Sequence, residues 1–157
     1  MIELIEAKSM NDFKTAIQLF QEYASQIGVD LEFQHFSKEL ETIEEHYSRP
    51  NGVLILARNE ESAPLGCFAI RALKSSICEL KRMYVRNEFR GFGLGKQMLV
   101  KSIEIGKKLG YKKMRLDTLP TMGSAIALYQ KMGFYEIEPY RFNPVKGTKY
   151  FEIKLDK

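Results

Sequence analysis

A run of alternating glycines, residues 90–96 (RGFGLGK), joins the apolar segment ELKRMYV to a segment with helical periodicity. Glycine has no Cβ, so the backbone can turn tightly between a strand and a helix. The first N–H groups of the following helix lack partners within the helix. With the charges of Arg90 and Lys96, these donors favour an anion such as a pyrophosphate. The same glycines also suit a simple packing turn, and the wider sequence must decide between the two.

The glycine run does not match two familiar phosphate-binding loops. In the dinucleotide motif G-x-G-x-x-G, the third glycine would fall on Lys96 or Met98. In the loop of NTPases, the first glycine would be Arg90, and Gln97 replaces the required hydroxyl residue. The sequence therefore predicts neither a Rossmann site nor an NTPase site.

Hydrophobic periodicity predicts the order of helices and strands. Apolar residues three and four apart predict helices over residues 13–27, 36–47, 94–109 and 125–132. Apolar or alternating segments bounded by turn residues predict strands over residues 2–7, 53–57, 65–73, 77–85, 112–118, 135–140 and 148–155. The short connections indicate an antiparallel meander, followed by a strand–helix–strand crossover. We therefore expect an α/β (α+β) fold with a mixed, mostly antiparallel sheet of about seven strands flanked by four helices.

Length and composition indicate one soluble domain. A chain of 157 residues that is 45% apolar supplies one sizeable core, so we expect a single domain over residues 1–157. No segment approaches the ~20 apolar residues of a membrane span, and the first residues do not resemble a signal peptide, so we expect a cytoplasmic protein without a membrane partner. Cys67 and Cys78 lack a CxxC spacing and nearby histidines, which predicts neither a metal site nor a disulfide.

Basic residues concentrate in one part of the chain. The net charge is +4, and between Lys96 and Arg115 seven cations face the single acid Glu104. This segment suits either a polyanion or a solvated helix face. Because Tyr111 is the only aromatic residue there, a base-stacking surface is poorly supplied, and we expect no nucleic-acid partner.

Two motifs give the chain a family resemblance. Residues 90–95 resemble the [Q/R]-x-x-G-x-[G/A] loop of the GNAT superfamily of N-acetyltransferases, with ELKRMYV on the preceding strand. Residues 124–134 (SAIALYQKMGF) resemble the second hallmark of that family, a helix with Ala and Leu-Tyr before a Gly-Phe turn. The order of predicted elements also fits, so the resemblance covers nearly the whole chain. Two motifs in the expected order are more specific than either alone.

The resemblance implies that acetyl-CoA is the co-substrate. In GNAT proteins the strand before the loop splays from its neighbour and pairs with the pantetheine arm, which the resemblance assigns here to Met83, Tyr84 and Val85. Ala125 and Tyr129 would lie near the thioester. The pyrophosphate would lie on the loop formed by Arg90, Gly91, Phe92, Gly93, Leu94, Gly95 and Lys96.

The expected reaction needs a base, an oxyanion donor and a leaving group. An alkyl amine with a pKa of ~10.4 is almost fully protonated at pH 7, so a proton acceptor is useful. By resemblance Glu79 is the candidate base; alternatively it is an exposed strand acid that pairs with Lys81 or Arg82. The N–H of Met83 is the candidate oxyanion donor. Tyr129 is the candidate donor to the thiolate, or a packed aromatic residue.

The sequence is compatible with two opposite kinds of acceptor. Glu79, Asp117 and Glu32 would attract a cationic amine, whereas Arg71, Arg82 and Arg141 would hold a carboxylate. We expect a small amine acceptor, direct attack in a ternary complex, no metal, and a monomer or homodimer. The alternative is a non-catalytic acyl-CoA sensor or regulatory module.

Overall fold

A seven-stranded sheet forms the centre of the protein. The computed structural model describes residues 2–156, apart from the side chain of Phe33. The strand order is β1-β2-β3-β4-β5-β7-β6, and only β4 and β5 are parallel, so the predicted fold class is confirmed. The strands are β1 (Glu3–Glu6), β2 (Val53–Arg58), β3 (Pro64–Lys74), β4 (Ile77–Val85), β5 (Lys113–Thr118), β6 (Tyr135–Ile137) and β7 (Lys149–Lys154).

Residues 2–156 contain five helices beside the sheet, because the predicted second helix is divided. Thr42, with φ −116° and ψ 28°, interrupts it, so that two short helices carry its apolar residues. Single 3₁₀ turns at Leu31–Gln34 and Asn87–Phe89 precede α2 and α4. The helices are α1 (Met10–Ile27), α2 (Phe36–Glu41), α3 (Ile43–His46), α4 (Leu94–Lys108) and α5 (Gly123–Lys131).

Local sequence signals explain the bounds of α1. The Ser9 hydroxyl accepts a hydrogen bond from the Asp12 N–H at 3.0 Å, and the Asp12 carboxylate accepts one from the Ser9 N–H at 3.2 Å. This capping box satisfies N–H groups that the first helical turn leaves free. Gly28, with φ 68°, ends the helix in the left-handed conformation that glycine adopts most easily.

No helix within residues 2–156 is long and apolar enough to cross a membrane.

The helices cover both faces of the sheet and bury two apolar layers. One layer, on the α1–α3 face, contains Phe13, Ala16, Leu19, Phe20, Ile43, Tyr47, Leu54, Leu56, Cys67, Ala69 and Tyr84. The other, on the α4–α5 face, contains Val53, Ile55, Phe68, Ile70, Cys78, Leu80, Leu94, Met98, Leu99, Met114, Leu116, Tyr129 and Phe151. Both cysteines are buried and free.

A β-bulge changes the direction of side chains in the middle of β4. Lys81 pairs with Ala69 and Tyr84 pairs with Cys67, so Arg82 and Met83 together oppose a single residue of β3. Arg82 has a φ of 58°, an uncommon value for a residue with a Cβ. Leu80, before the bulge, and Met83, after it, both pack on the α4–α5 side. A regular strand would place these two residues on opposite faces.

Strands β4 and β5 separate just before the bulge. They pair only between residues 77–79 and residues 113–115, although β4 continues to Val85 and β5 to Thr118. Beyond Glu79 and Arg115 the sheet therefore opens into a wedge, which we define as the gap between residues 80–85 and residues 116–118. Backbone groups along both sides of this wedge are free from the β4–β5 ladder.

A buried ion pair holds the bulge. Arg82 is 5% exposed and Glu39, on α2, is 2% exposed. The guanidinium donates from Nη2 to Glu39 Oε1 at 2.7 Å and from Nε to Oε2 at 3.0 Å. Tyr47 donates its hydroxyl proton to Oε2 at 2.6 Å, and Arg82 also donates to Gln34 at 3.0 Å. Burial opposes ionisation of Glu39, but the hydrogen bonds and charge of Arg82 outweigh it and lower the pKa of Glu39.

We predict that Glu39→Gln lowers the free energy of unfolding by about 3–5 kcal/mol, because it leaves the buried guanidinium of Arg82 without its carboxylate. Urea denaturation measures this change. Glu44→Gln, on the exposed side of α3, is the control and should change stability by less than ~0.5 kcal/mol. Equal losses in the two variants would contradict a stabilising role for the pair.

Candidate active site

A large cavity, called the larger cavity below, lies between the wedge and the first turns of α4 and α5. Its volume is about 690 Å³, within the range typical of small-molecule sites. Met83, Tyr84 and Val85 of β4 form one wall. The resemblance assigns these residues to the pantetheine arm, and that contact stays a prediction. The remaining lining comes from α1, the glycine loop and α5: Tyr23, Gln26, Ile27, Phe89, Arg90, Gly91, Gly93, Leu94, Gly95, Thr121, Met122, Gly123, Ser124, Ala125, Leu128 and Tyr129.

The glycine loop presents free N–H groups to this cavity. Gly91 and Gly93 have φ angles of 87° and 83°, and Gly93 caps α4 without a side-chain hydrogen bond. The first helical bond runs from the Gln97 N–H to the Gly93 carbonyl at 3.1 Å, and within the described residues the amides of residues 91–96 donate to no protein group. A Cβ on either glycine would meet no atom within 4 Å, so the space above the loop is open. These features fit a bound pyrophosphate.

The charged and aromatic members of the loop take other positions. Arg90 donates from Nε to the Val85 carbonyl at 2.7 Å and from Nη2 to Gln26 at 2.9 Å, so its guanidinium fastens the loop to β4 and α1. Phe92 is 75% exposed. Lys96 is exposed, and neither Phe92 nor Lys96 lines the cavity. Their predicted contacts with a cofactor stay predictions.

Helix α5 supplies the opposite wall. It begins at Gly123 without a side-chain cap, and Ser124 and Ala125 lie in its first turn beside the cavity. Tyr129 packs against Phe134 and Phe151, with ring centroids 5.7 and 6.3 Å away. Burial raises the pKa of Tyr129, and its hydroxyl bonds to no described residue. The ring therefore packs in the core, in agreement with the alternative interpretation of Tyr129 as a packed aromatic residue. Its hydroxyl remains free to bind a ligand.

A smaller cavity lies beside the larger one and shares part of its lining. Its volume is about 50 Å³, space for only about three to five water-sized groups. Both cavities are bordered by Tyr23, Ile27, Met83, Met122 and Tyr129. The smaller cavity lies on the α1 side of the wedge and is otherwise lined by Val29, Leu31, Gln34, Leu80, Lys81, Arg82, Leu116, Asp117, Thr118, Leu119 and Asn143.

Glu79 lies outside both cavities. Its side chain is fully buried, and Oε1 accepts from Arg71 Nε at 3.0 Å. Oε2 accepts from the Tyr140 hydroxyl at 2.8 Å and contacts Arg141 Nη2. Burial opposes its ionisation, but the nearby charges of Lys81 and Arg141 outweigh burial and lower the pKa of Glu79.

These contacts exclude the alternative interpretation of Glu79 as an exposed acid on a strand. It is neither exposed nor paired with Lys81 or Arg82, because the loop after β6 brings Tyr140 and Arg141 over it. Its role as a base stays a prediction, and both carboxylate oxygens already have donors.

The arginines proposed to hold a carboxylate each have an acidic partner already. Arg71 and Arg141 bind Glu79, and Arg82 binds Glu39. Of the three acids proposed to attract a cation, Asp117 alone lines a cavity; Glu32 is exposed and accepts from the Ser37 N–H at 3.0 Å. Sequence reasoning missed Lys81, which the alternation of β4 places on the same face as Glu79.

No group of histidine, cysteine or acidic residues within residues 2–156 has an arrangement that could hold a metal ion. His35 is exposed, and His46 packs edge-on against Tyr47 with ring centroids 4.6 Å apart. Neither histidine lines either cavity.

Comparisons with known proteins agree with this geometry. The family model of the acetyltransferase (GNAT) family matches residues 14–134. An uncharacterised N-acetyltransferase of Schizosaccharomyces pombe is 39% identical over 151 residues, which cover 96% of this chain and 91% of that protein.

Solved structures show the same fold. A GNAT-family acetyltransferase of Staphylococcus aureus Mu50 superposes with a TM-score of 0.83 at 25% identity, covering 99% of this chain and 100% of the other. A GNAT-family acetyltransferase of Elizabethkingia anophelis with acetyl-CoA bound has a TM-score of 0.69 at 20% identity, covering 98% and 97% of the two chains. The chain therefore belongs to the GNAT family of acetyltransferases, and the enzyme class expected from its sequence, the acyl-CoA-dependent N-acetyltransferases, is confirmed.

Proposed function

We propose that the protein transfers an acetyl group from acetyl-CoA to the amine of a small acceptor by direct attack in a ternary complex. The observation that carries this proposal is that two cavities share Met83 and Tyr129 as lining residues, at a boundary that we call the junction. The larger cavity has the volume for an elongated cofactor arm, whereas the smaller one admits only a few atoms. A thioester at the junction would be open to an amine from the other side.

The larger cavity suits acetyl-CoA for two physical reasons. Residues 83–85 border the wedge, where β4 is free from the β4–β5 ladder and can pair with the amides of a pantetheine arm. The free N–H groups of residues 91–96 can hold its pyrophosphate. The acetyl-CoA bound by the related fold from E. anophelis supports this assignment. When bound, acetyl-CoA supplies an activated acetyl thioester.

The bulge gives Met83 its proposed role. Together with Arg82 it opposes one residue of β3, so it stands outside the regular pairing with that strand. Its N–H is our candidate donor to the negative charge that develops on the carbonyl oxygen during transfer. The Arg82–Glu39 pair would hold this donor in place, because it fixes the neighbouring residue of the bulge.

Tyr129 is our candidate donor to the departing sulfur. Its hydroxyl has no protein partner in the described chain, and the ring is fixed between Phe134 and Phe151. Because burial raises its pKa, it stays protonated and can donate a hydrogen bond at neutral pH. A thiol with a pKa near ~8.5 can also leave as the thiolate, so the contribution of this donor should be moderate.

We predict that Gly93→Glu abolishes acetyl-CoA binding in calorimetric titration, because it adds a negative charge and backbone strain where the pyrophosphate should lie. Gly110→Glu is a matched control. Gly110, with φ 94°, follows the other end of α4 and also has open space around it. Binding lost in both variants, or kept in both, would contradict the loop assignment.

We further predict that Tyr129→Phe lowers kcat by about 10-fold and leaves the Kd for acetyl-CoA unchanged, because it removes the hydroxyl and keeps the packed ring. Release of CoA measured with a thiol reagent gives the rate. An unchanged kcat would assign Tyr129 to packing alone, and a loss above ~10³-fold would show that the thiolate does not leave unaided.

A further inference from the structure

Lys81 is a buried cation that forms no ion pair within 4 Å among residues 2–156, although the charges of Glu79 and Glu39 still favour its charged form. Its side chain lines the smaller cavity, and the residue is 8% exposed. Its one polar contact among the described residues is Gln34 Oε1, at the long distance of 3.5 Å. Buried ammonium groups are nearly always paired, because removing an unpaired charge from water is costly. Lys81 therefore has unused capacity to bind an anion in this cavity.

Asp117 is the complementary group. It lines the same cavity, its Oδ2 is buried, and that atom has no hydrogen-bond partner in residues 2–156. It also forms no ion pair with a described cation. A buried carboxylate oxygen without a donor is as uncommon as an unpaired ammonium. Burial and the nearby charge of Glu79 raise the pKa of Asp117.

The wedge explains why Lys81 and Asp117 do not neutralise each other. Glu79 pairs with Arg115 in the β4–β5 ladder. Lys81 and Asp117 each lie two residues further along their strands. They therefore face the same side of the sheet from opposite sides of the wedge. Their charged atoms are more than 4 Å apart, since no ion pair joins them. The cavity between them is where a ligand would complete both pairs.

The local charge favours an acceptor that carries a carboxylate. This face of the wedge has four cations around it: Lys81, Arg71, Arg82 and Arg141. It has three carboxylates, those of Glu39, Glu79 and Asp117. The arginines are bound to Glu39 and Glu79, which leaves Lys81 as the available cation. Burial and the charge of Arg82 lower the pKa of Lys81 to about 8, so it is still mostly charged at pH 7. A simple alkyl amine or polyamine offers nothing to pair with it.

We infer that the acceptor is a small amino-carboxylate, whose carboxylate binds Lys81 and whose ammonium group binds Asp117, the carboxylate that receives its proton. This inference rests on the proposed function and names its substrate class. Asp117 is then a base on the cavity surface, whereas Glu79 is buried outside both cavities.

The proton and bond changes balance. The ammonium group gives one proton to the Asp117 carboxylate, and the neutral nitrogen forms a bond to the acetyl carbon. The bond between that carbon and sulfur breaks, and the sulfur departs with the electron pair. The second proton leaves the nitrogen as the amide forms and protonates the thiolate. Asp117 then returns its proton to solvent, so the products are the N-acetylated acid, CoA and one proton.

The test compares each standard amino acid with its own carboxamide as an acceptor for acetyl-CoA, with simple alkyl amines and spermidine in the same assay. CoA release by the full chain is followed. The expected result is that at least one small amino acid exceeds its carboxamide by about 10²-fold in kcat/KM, because the amide cannot pair with Lys81. Acetylation of carboxamides or alkyl amines as efficiently as amino acids, or no acetylation of any amino acid, would overturn the inference.

Two variants separate the roles of the two side chains. Lys81→Met should raise the KM for the preferred amino acid by about 10²-fold and leave the kcat/KM for its carboxamide nearly unchanged. Asp117→Asn should lower kcat for both acceptors, with partial recovery at high pH as the amine loses its proton unaided. Lys38→Met, on the exposed side of α2, is the control and should leave both acceptors unchanged. Equal losses for the two acceptors in Lys81→Met would contradict carboxylate binding.

The experiments distinguish a wrong acceptor class from a wrong proposed function. Absence of acetyl-CoA binding in calorimetry would remove the acetyltransferase proposal itself. Binding of acetyl-CoA with acetylation of alkyl amines alone would keep that proposal and overturn only the assignment of the acceptor. The comparison of acid with carboxamide uses the unaltered protein, so it does not depend on whether a variant folds.

Discussion

The arrangement of both cavities depends on one buried ion pair. Arg82 adopts a φ of 58°, a conformation that costs a residue with a Cβ roughly 1–2 kcal/mol. Its two hydrogen bonds to Glu39, at 2.7 and 3.0 Å, fix it there. Because the bulge reverses the facing of β4, Met83 packs on the α4–α5 side and reaches both cavities, while Lys81 lines only the smaller one. The order of side chains around the wedge follows from this single reversal.

The same region shows how a cluster of charges can be selective. Glu79 and Glu39 take up the three arginines, so these cations are not free for a ligand. Lys81 and Asp117 are held apart by the separation of β4 and β5, and neither forms a direct ion pair within the described residues. The protein thus bears the cost of two poorly paired buried groups at one place, and a ligand with both charges would relieve it. That place adjoins the junction with the cavity proposed for acetyl-CoA.

Much of this fold could be read from local patterns. The glycine run and the periodicity of residues 94–109 predicted α4 and its free N–H groups, since both are properties of neighbouring residues. The division of the second helix at Thr42 was missed, because the apolar spacing continues through the break. The bulge was missed although the consecutive polar residues Lys81 and Arg82 break the alternation of ELKRMYV, because the extra residue can be assigned only when β3 is paired beside it.

The candidate site was harder to predict than the fold. Glu79 could be recognised as an acid on the right strand, but its partners Tyr140 and Arg141 lie about sixty residues later in a loop without periodicity. From the sequence, Lys81 was only a possible partner of Glu79, since its burial depends on α1 and the 3₁₀ turn at Leu31–Gln34 folding over β4. Asp117 was one of three equivalent acids until the wedge placed it in the cavity. Such facts arise from distant contacts, which spacing in the chain does not encode.

The central claim is that an amine in the smaller cavity attacks a thioester in the larger one directly. Cys67 and Cys78 are buried and line neither cavity, so neither thiol is placed to carry an acetyl group. Initial rates measured with acetyl-CoA and an accepted amine both varied test this most directly. The account predicts double-reciprocal lines that intersect, because both substrates must be bound before transfer. Parallel lines, together with acetylated protein formed without an acceptor, would contradict it.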